Sequence, residues 1–203
     1  MPTLLFATRN LRKKQLFSPV FQARGIDFVT LLDVVDLQGH NVDEVGATAE
    51  ENALLKARAF HCPEWPLVLG DDAGLEIDAL NGEPGVQARR WNGHFGDDVA
   101  DEVWRDYLLE RMQGVPLAQR TARYVAAWAV ITPDGQAHVR RFVRPFRFAD
   151  RPQRPITPGA PMGSLEIYDE KRPSPAEQIA AEWTRWGILE SILVSNQATQ
   201  SAN

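Results

Sequence analysis

Leu67-Val68-Leu69-Gly70-Asp71-Asp72-Ala73-Gly74-Leu75-Glu76-Ile77-Asp78-Ala79-Leu80 decides the reading of this chain. Its apolar opening predicts a buried strand that stops at two adjacent carboxylates, with Gly74 behind them able to take positive φ. Strand side chains alternate, so Asp71 and Asp72 are expected on opposite faces, one at a cleft and the other toward the scaffold or a turn. A carboxylate at the carboxyl end of a buried strand is where open α/β sheets place their chemistry, and Mg2+ prefers oxygen ligands of this kind. Taken alone, Asp-Asp-Ala-Gly fits a polar turn better than a site. Leu75 to Leu80 alternates with period two and predicts a second, half-exposed strand, and Asn81-Gly82-Glu83-Pro84-Gly85 reads as a turn.

Outward from that stretch, 203 residues suffice for one sizeable core or two small lobes, and 44% hydrophobic with 24% charged residues is ordinary globular composition. A net charge of −5 argues against a duplex nucleic acid partner, which demands a basic face, and leaves an anionic ligand needing a local basic pocket. One cysteine, Cys62, excludes an intrachain disulfide and is expected buried or half-buried. No run of 18 apolar residues exists, and Arg9 and Arg12 interrupt the N-terminus before a signal-like core forms. A soluble, cytoplasmic protein without a membrane partner is expected.

Before the central stretch, residues 3–7 predict a strand, the polar run Thr8 to Lys14 a loop, and Leu16, Phe17, Val20 and Phe21 a helix reaching Gly25. A strand, a basic loop and a helix start together aim backbone N–H groups and a helix dipole at phosphate. Residues 26–32 predict another strand. Thr48 with Glu51 three residues later forms a capping box, so a helix begins near Ala49, and Asn52 and Lys56 share one of its faces. Residues 99–114 predict an amphipathic helix burying Val103, Tyr107, Leu108 and Met112. Residues 120–131 and 138–144 form a hairpin about Pro133-Asp134-Gly135. Ser174-Pro175-Ala176-Glu177 caps a last helix expected over 175–194, whose Trp183 and Trp186 belong to the core or a dimer contact, with a frayed polar tail over 195–203. None of the four histidines has a second metal-binding side chain at helical or turn spacing.

Asp71-Asp72-Ala73-Gly74-Leu75-Glu76-Ile77-Asp78-Ala79-Leu80, continued by Gly82-x-Pro84-Gly85-Val86 and Arg90-Trp91, resembles the central signature of the Ham1 family, the inosine/xanthosine triphosphate pyrophosphatases. Two further blocks occur in that family's order. Ala7-Thr8-x-Asn10-x-x-Lys13 is similar to its triphosphate-binding block, and Glu44-x-Gly46-x-Thr48-x-x-Glu51-Asn52-Ala53-x-x-Lys56-Ala57 to its second block. The resemblance implies an α/β fold, a mixed sheet with flanking helices in two lobes around a central cleft, forming a single domain over 1–194. It implies a Mg2+-dependent hydrolase of non-canonical purine nucleoside triphosphates (ITP, XTP, dITP) that releases pyrophosphate and acts as a homodimer. Thr8, Asn10, Lys13, Lys56 and Arg90 would bind substrate, Glu44 and Asp72 would hold the metal, and Asp72 would act in catalysis.

The chain departs from the pattern in four places. Arg9 and Arg12 stand where the family usually has glycine, and Ala73 replaces a serine or threonine that contacts phosphate. Between Arg89 and Arg90 the register is open, with Arg90-Trp91 the better match. From about Phe146 the Gly-Tyr-Asp-Pro-like loop and the base-reading serine-histidine-arginine triplet are absent; a proline-rich loop over 151–161 stands instead, and Tyr168 or Trp183 remains to stack on a base. Two alternatives follow: a protein that binds nucleotide with weak or no turnover, or a hydrolase of a different nucleotide.

Overall fold

A computed structural model describes residues 3–96, 98–167 and 173–188. The chain opens on β1 (Leu4–Phe6), three buried apolar residues, and passes through a polar turn into α1 (Leu11–Gln22). β2 (Phe28–Thr30) lies parallel to β1, and after α2 (Ala49–Phe60) the strand β3 (Val68–Ile77) lies parallel to β1 on its other side. β4 (Pro84–Gly85) pairs antiparallel with the end of β3 and is followed by α3 (Asp101–Arg111), β5 (Thr121–Ile131), β6 (Ala137–Arg147) and α4 (Pro175–Trp186). The strands form one mixed sheet in the order β2-β1-β3-β5-β6, the α/β architecture expected. Only residues 132–136 separate β5 from β6, too few for a parallel crossover, so the pair is an antiparallel hairpin.

Two compact units divide the chain, and β3, β5 and β6 each contribute residues to both. The described residues of the first lie within 1–72, 127–141 and 173–203. Its core is built on aromatic rings. Phe17 of α1 packs 5.1 Å from Phe6 of β1 and edge-on, 5.8 Å, to Trp128 of β5, and Trp128 stacks 5.2 Å from Trp183 of α4. Such pairs add roughly 0.5–1.5 kcal/mol each beyond the area they bury. Trp183 is only 1% exposed, so it is a core residue and unavailable to a base. Trp186, half-buried, completes the stack 5.0 Å from Trp183.

α4 begins as the sequence predicts: Ser174 Oγ accepts from the Glu177 N–H and Glu177 Oε2 accepts from the Ser174 N–H. It ends earlier than expected. Gly187 takes the left-handed conformation (φ 62°) and its N–H donates to the Trp183 carbonyl, so the helix stops at Trp186 although the apolar spacing continues. Tyr168, Lys171, Leu189, Leu193 and the tail over 195–203 lie outside the described residues.

The second unit comprises 73–126 and described residues within 142–172. Its core joins Leu75 and Ile77 of β3 with Trp91, Trp104, Leu108, Met112, Phe146, Phe148 and Leu165. α3 and its C-cap present Trp104, Leu108 and Met112 at i, i+4 and i+8; Val103, expected inside, is half-exposed because the larger indole takes the buried stripe. Its Nε1–H is satisfied by the Ala88 carbonyl at 2.8 Å. Arg120 is buried and its guanidinium donates to the carbonyls of Met112, Val115 and Ala149, which makes it a clasp for the end of α3. Cys62 is exposed rather than buried, since Phe60 already closes the inner face at the end of α2. Among the described residues no helix is long and apolar enough to cross a membrane.

Candidate active site

Asp71 and Asp72 do not end a strand. β3 runs unbroken through them to Ile77, and the break expected at Gly74 is absent. Glycine there serves a different need, because a Cβ at Gly74 would stand 2.7 Å from the Gly85 carbonyl oxygen of β4. At Gly70 a Cβ would collide with the Ala53 carbonyl oxygen and reach within 2.9 Å of the Ala57 nitrogen, so α2 lies directly on the β3 backbone. Even-numbered side chains of this segment therefore turn toward α2 and odd ones away, and the two acids part as alternation requires. Both are buried, 4% and 5% exposed, so each needs a cationic partner.

Those partners come from different helices. Lys13, in the first turn of α1, forms an ion pair with Asp71 Oδ1. Lys56, on the third turn of α2, places Nζ 2.7 Å from Asp72 Oδ1, 2.9 Å from Glu44 Oε2 and 3.2 Å from the Asp71 carbonyl oxygen. Glu44, Lys56 and Asp72 thus meet directly, and the Lys13 charge also acts on Asp72. Burial pushes the Asp72 carboxyl above its ordinary pKa, against the pull of Lys56 and Lys13, and Glu44 adds to the rise.

Glu44 stands on a loop that α2 itself anchors. Thr48 Oγ1 caps the helix by accepting from the Glu51 N–H at 3.2 Å, while Glu51 Oε2 accepts from the Ala47 N–H at 2.7 Å, one residue farther back than a capping box reaches. Asn52, 3% exposed, accepts from the Gly46 N–H at 2.8 Å and donates to Asp72 Oδ2 at 3.2 Å. Spacing put Asn52 on the Lys56 face; nothing local in the sequence said that this face meets Asp72.

Thr8 and Asn10 shape the turn between β1 and α1. Thr8 Oγ1 accepts from the Asn10 N–H at 3.1 Å, and Asn10 Oδ1 caps α1 by accepting from the N–H groups of Arg12 (2.9 Å) and Lys13 (3.2 Å). Asn10 therefore lies in the same turn as Lys13, with its side-chain oxygen committed to the helix cap. Arg9 donates to the carbonyls of Leu37 and His40, holding the loop after β2. Arg90 is an exposed residue of the second unit, preceding Trp91, whose φ is 45°. Arg89, its alternative, is committed to Asp101 and the Val99 carbonyl.

Beside this turn Lys14 Nζ bonds Asp33 Oδ1 at 2.6 Å, and Asp33 Oδ2 accepts from the Thr30 N–H and hydroxyl, each at 2.8 Å. The lysine first, then the Thr30 donors, hold the Asp33 carboxyl down at about 2. A folded-state pKa below the ordinary 3.8 contributes stability above that value and loses it as pH falls toward 2. Carboxyl chemical shifts followed through pH 4 to 2 are expected to put the Asp33 midpoint well below the exposed aspartates, and Lys14→Ala to raise it.

Two carboxylates directed at one ammonium suit a hard cation: Glu44 and Asp72 each offer an oxygen at the same point, where Lys56 Nζ supplies the positive charge. Among the described residues no three His, Cys, Asp or Glu side chains gather as a metal site. That donor set fits Mg2+, which takes one or two carboxylates and completes its shell with water and substrate phosphate.

The Ham1 family model matches residues 4–143. The chain belongs to the Ham1 family. It is 40% identical over 137 residues to a dITP/XTP pyrophosphatase of Corynebacterium efficiens, covering 67% of this chain and 65% of that protein. A dITP/XTP pyrophosphatase of Mycolicibacterium paratuberculosis is 39% identical over 141 residues, 69% of this chain and 68% of that one. The match thus spans about two thirds of these curated relatives. Among solved structures, the nucleoside-triphosphatase / dITP/XTP pyrophosphatase of Mycobacterium abscessus superposes with a TM-score of 0.63 at 30% identity, over 94% of this chain and 97% of that one. A HAM1 protein of Coxiella burnetii, 21% identical with a TM-score of 0.69, shares the fold over 97% of this Ham1 chain and 100% of its own. The family match stops where the sequence resemblance does, before Phe146.

Proposed function

We propose that this Ham1 protein is a Mg2+-dependent nucleoside triphosphate pyrophosphohydrolase acting on non-canonical purine nucleotides such as dITP, XTP and ITP. One observation carries the proposal: two carboxylates and an ammonium group from three separate segments, the loop before α2, α2 and β3, meet at one cation position, and the Lys13 charge of α1 acts on the same Asp72. The names of the relatives supply the substrate class.

Lys13 and Lys56 neutralise the polyphosphate and the Asn10 amide orients it, with Thr8 fixing the turn that presents Asn10. Arg90 is assigned to the same substrate on the family pattern. Glu44 and Asp72 hold Mg2+, which when bound polarises the phosphoryl oxygens. Asp72 takes a proton from the water that attacks the α-phosphorus. The bond from that phosphorus to its bridging oxygen breaks, giving nucleoside monophosphate and pyrophosphate. Ala73 offers no hydroxyl to the phosphates, which lowers affinity or rate relative to relatives with serine.

A second reading, hydrolysis of a different nucleotide or binding without turnover, is favoured by one observation: the family match ends at residue 143, before the base-reading region. Pyrophosphate release from a panel of canonical and non-canonical triphosphates, with and without Mg2+, separates the readings. Preference for dITP or XTP that vanishes with EDTA is the expected result; turnover indifferent to the base, or none, removes the substrate assignment. A cytoplasmic homodimer is proposed on family grounds, and sedimentation velocity tests the dimer.

A further inference from the structure

We propose that Asn52 is a positioning residue that sets Glu44 and Asp72 in register for the cation. The inference rests on the reading of those two carboxylates as the Mg2+ ligands. Its first support is the orientation of the amide. A backbone N–H can only donate, so the oxygen of Asn52 must be the atom facing Gly46; the amide N–H2 must then face Asp72 Oδ2. That orientation follows from chemistry and admits no flip.

Both bonds act on the site. The bond from the Gly46 N–H, at 2.8 Å, fixes the backbone two residues beyond Glu44. The bond to Asp72 ties down Oδ2 and leaves Oδ1 as the oxygen aimed at the shared cation position. One planar side chain, carried by α2, thereby spaces the loop carboxylate against the strand carboxylate. The glycine is part of the device. A Cβ at Gly46 would stand 2.6 Å from Asn52 Oδ1 and 2.7 Å from the Glu51 Cβ, so only glycine lets the loop close on the amide. A buried asparagine serving only to satisfy the loop would not need its second bond to fall on a ligand carboxylate. Partners behind metal ligands typically contribute roughly 10–100-fold in metal affinity.

The experiment is titration of the full chain with Mn2+ alone, free ion read by electron paramagnetic resonance, beside thermal melting and kcat and KM for the best nucleotide. Asn52→Ala is expected to weaken Mn2+ binding by roughly 10–100-fold and raise the Mg2+ needed for half-maximal rate in parallel. Glu44→Gln and Asp72→Asn are the reference variants. If those two weaken Mn2+ and Asn52→Ala leaves it unchanged, the inference falls and the cation site stands. If neither reference variant moves the affinity, the cation site itself is wrong and the inference goes with it. Gly46→Ala, which displaces the amide without deleting it, covers the case in which Asn52→Ala does not fold: weakened Mn2+ binding supports the inference, and an unchanged affinity overturns it.

Discussion

Asp72→Asn is expected to lower pyrophosphate release by about 10²–10⁴-fold, the usual contribution of a positioned proton acceptor. Two effects add. The amide takes no proton from water, and it presents only one acceptor oxygen where Asp72 presents two. Asp72 Oδ1 now takes Lys56 Nζ and Oδ2 takes the Asn52 N–H2, both donors, so the new N–H2 must face one of them. The fold should survive, because Lys56 keeps Glu44 Oε2 and the Asp71 carbonyl, and Asp71 keeps Lys13. Release of pyrophosphate, followed colorimetrically through a coupling pyrophosphatase, with circular dichroism as the folding control, reads the result. A variant as fast as its parent would remove Asp72 from the chemistry.

The elements that the sequence made legible are those whose signals are local. Thr48 and Ser174 accept at the helix starts their spacing predicted, and the hairpin folds about the Pro133-Asp134-Gly135 turn. Alternation also divided Asp71 from Asp72 correctly. What stayed hidden depended on neighbours distant in sequence. Two adjacent aspartates inside a buried strand defy strand preference and become tolerable only with Lys13 and Lys56 delivered by helices on either side. The break expected at Gly74 was the same error, since its missing side chain accommodates β4 rather than a turn. Trp104 displaced Val103 because the choice of buried stripe depends on what α3 packs against, here Trp91 at 5.2 Å. Among the candidate site residues, Thr8, Asn10, Lys13, Glu44, Lys56 and Asp72 fall in the first unit at or near the clustered charges, and Arg90 is in the second. Local spacing places Asn52 beside Lys56 and carries no more, because its partners are a loop amide six residues before it and a carboxylate twenty residues after it.

Gly70→Ala is expected to be the most damaging small change in the fold and to reach the site as well. The added methyl would strike the Ala53 carbonyl and crowd the Ala57 nitrogen, both backbone atoms of α2. No rotamer relieves such a clash and no second side-chain substitution compensates for it, so the helix must retreat from β3. Overpacking of this kind costs about 1–3 kcal/mol, and in a chain of this size roughly 2–4 °C of melting temperature accompanies each kcal/mol. The retreating segment carries Asn52 and Lys56, whose bonds to Asp72 and to the Asp71 carbonyl cross the same interface. A displacement near 1 Å costs about 100-fold in rate when it separates groups that must act together. Gly39→Ala is the matched control, since a Cβ there meets nothing within 4 Å. Thermal melting and pyrophosphate release, measured on both variants, should show Gly70→Ala impaired in each and Gly39→Ala in neither. If Gly70→Ala melts with its parent, α2 does not rest on the β3 backbone, and the ion pair that brings Lys56 to Asp72 loses its structural basis.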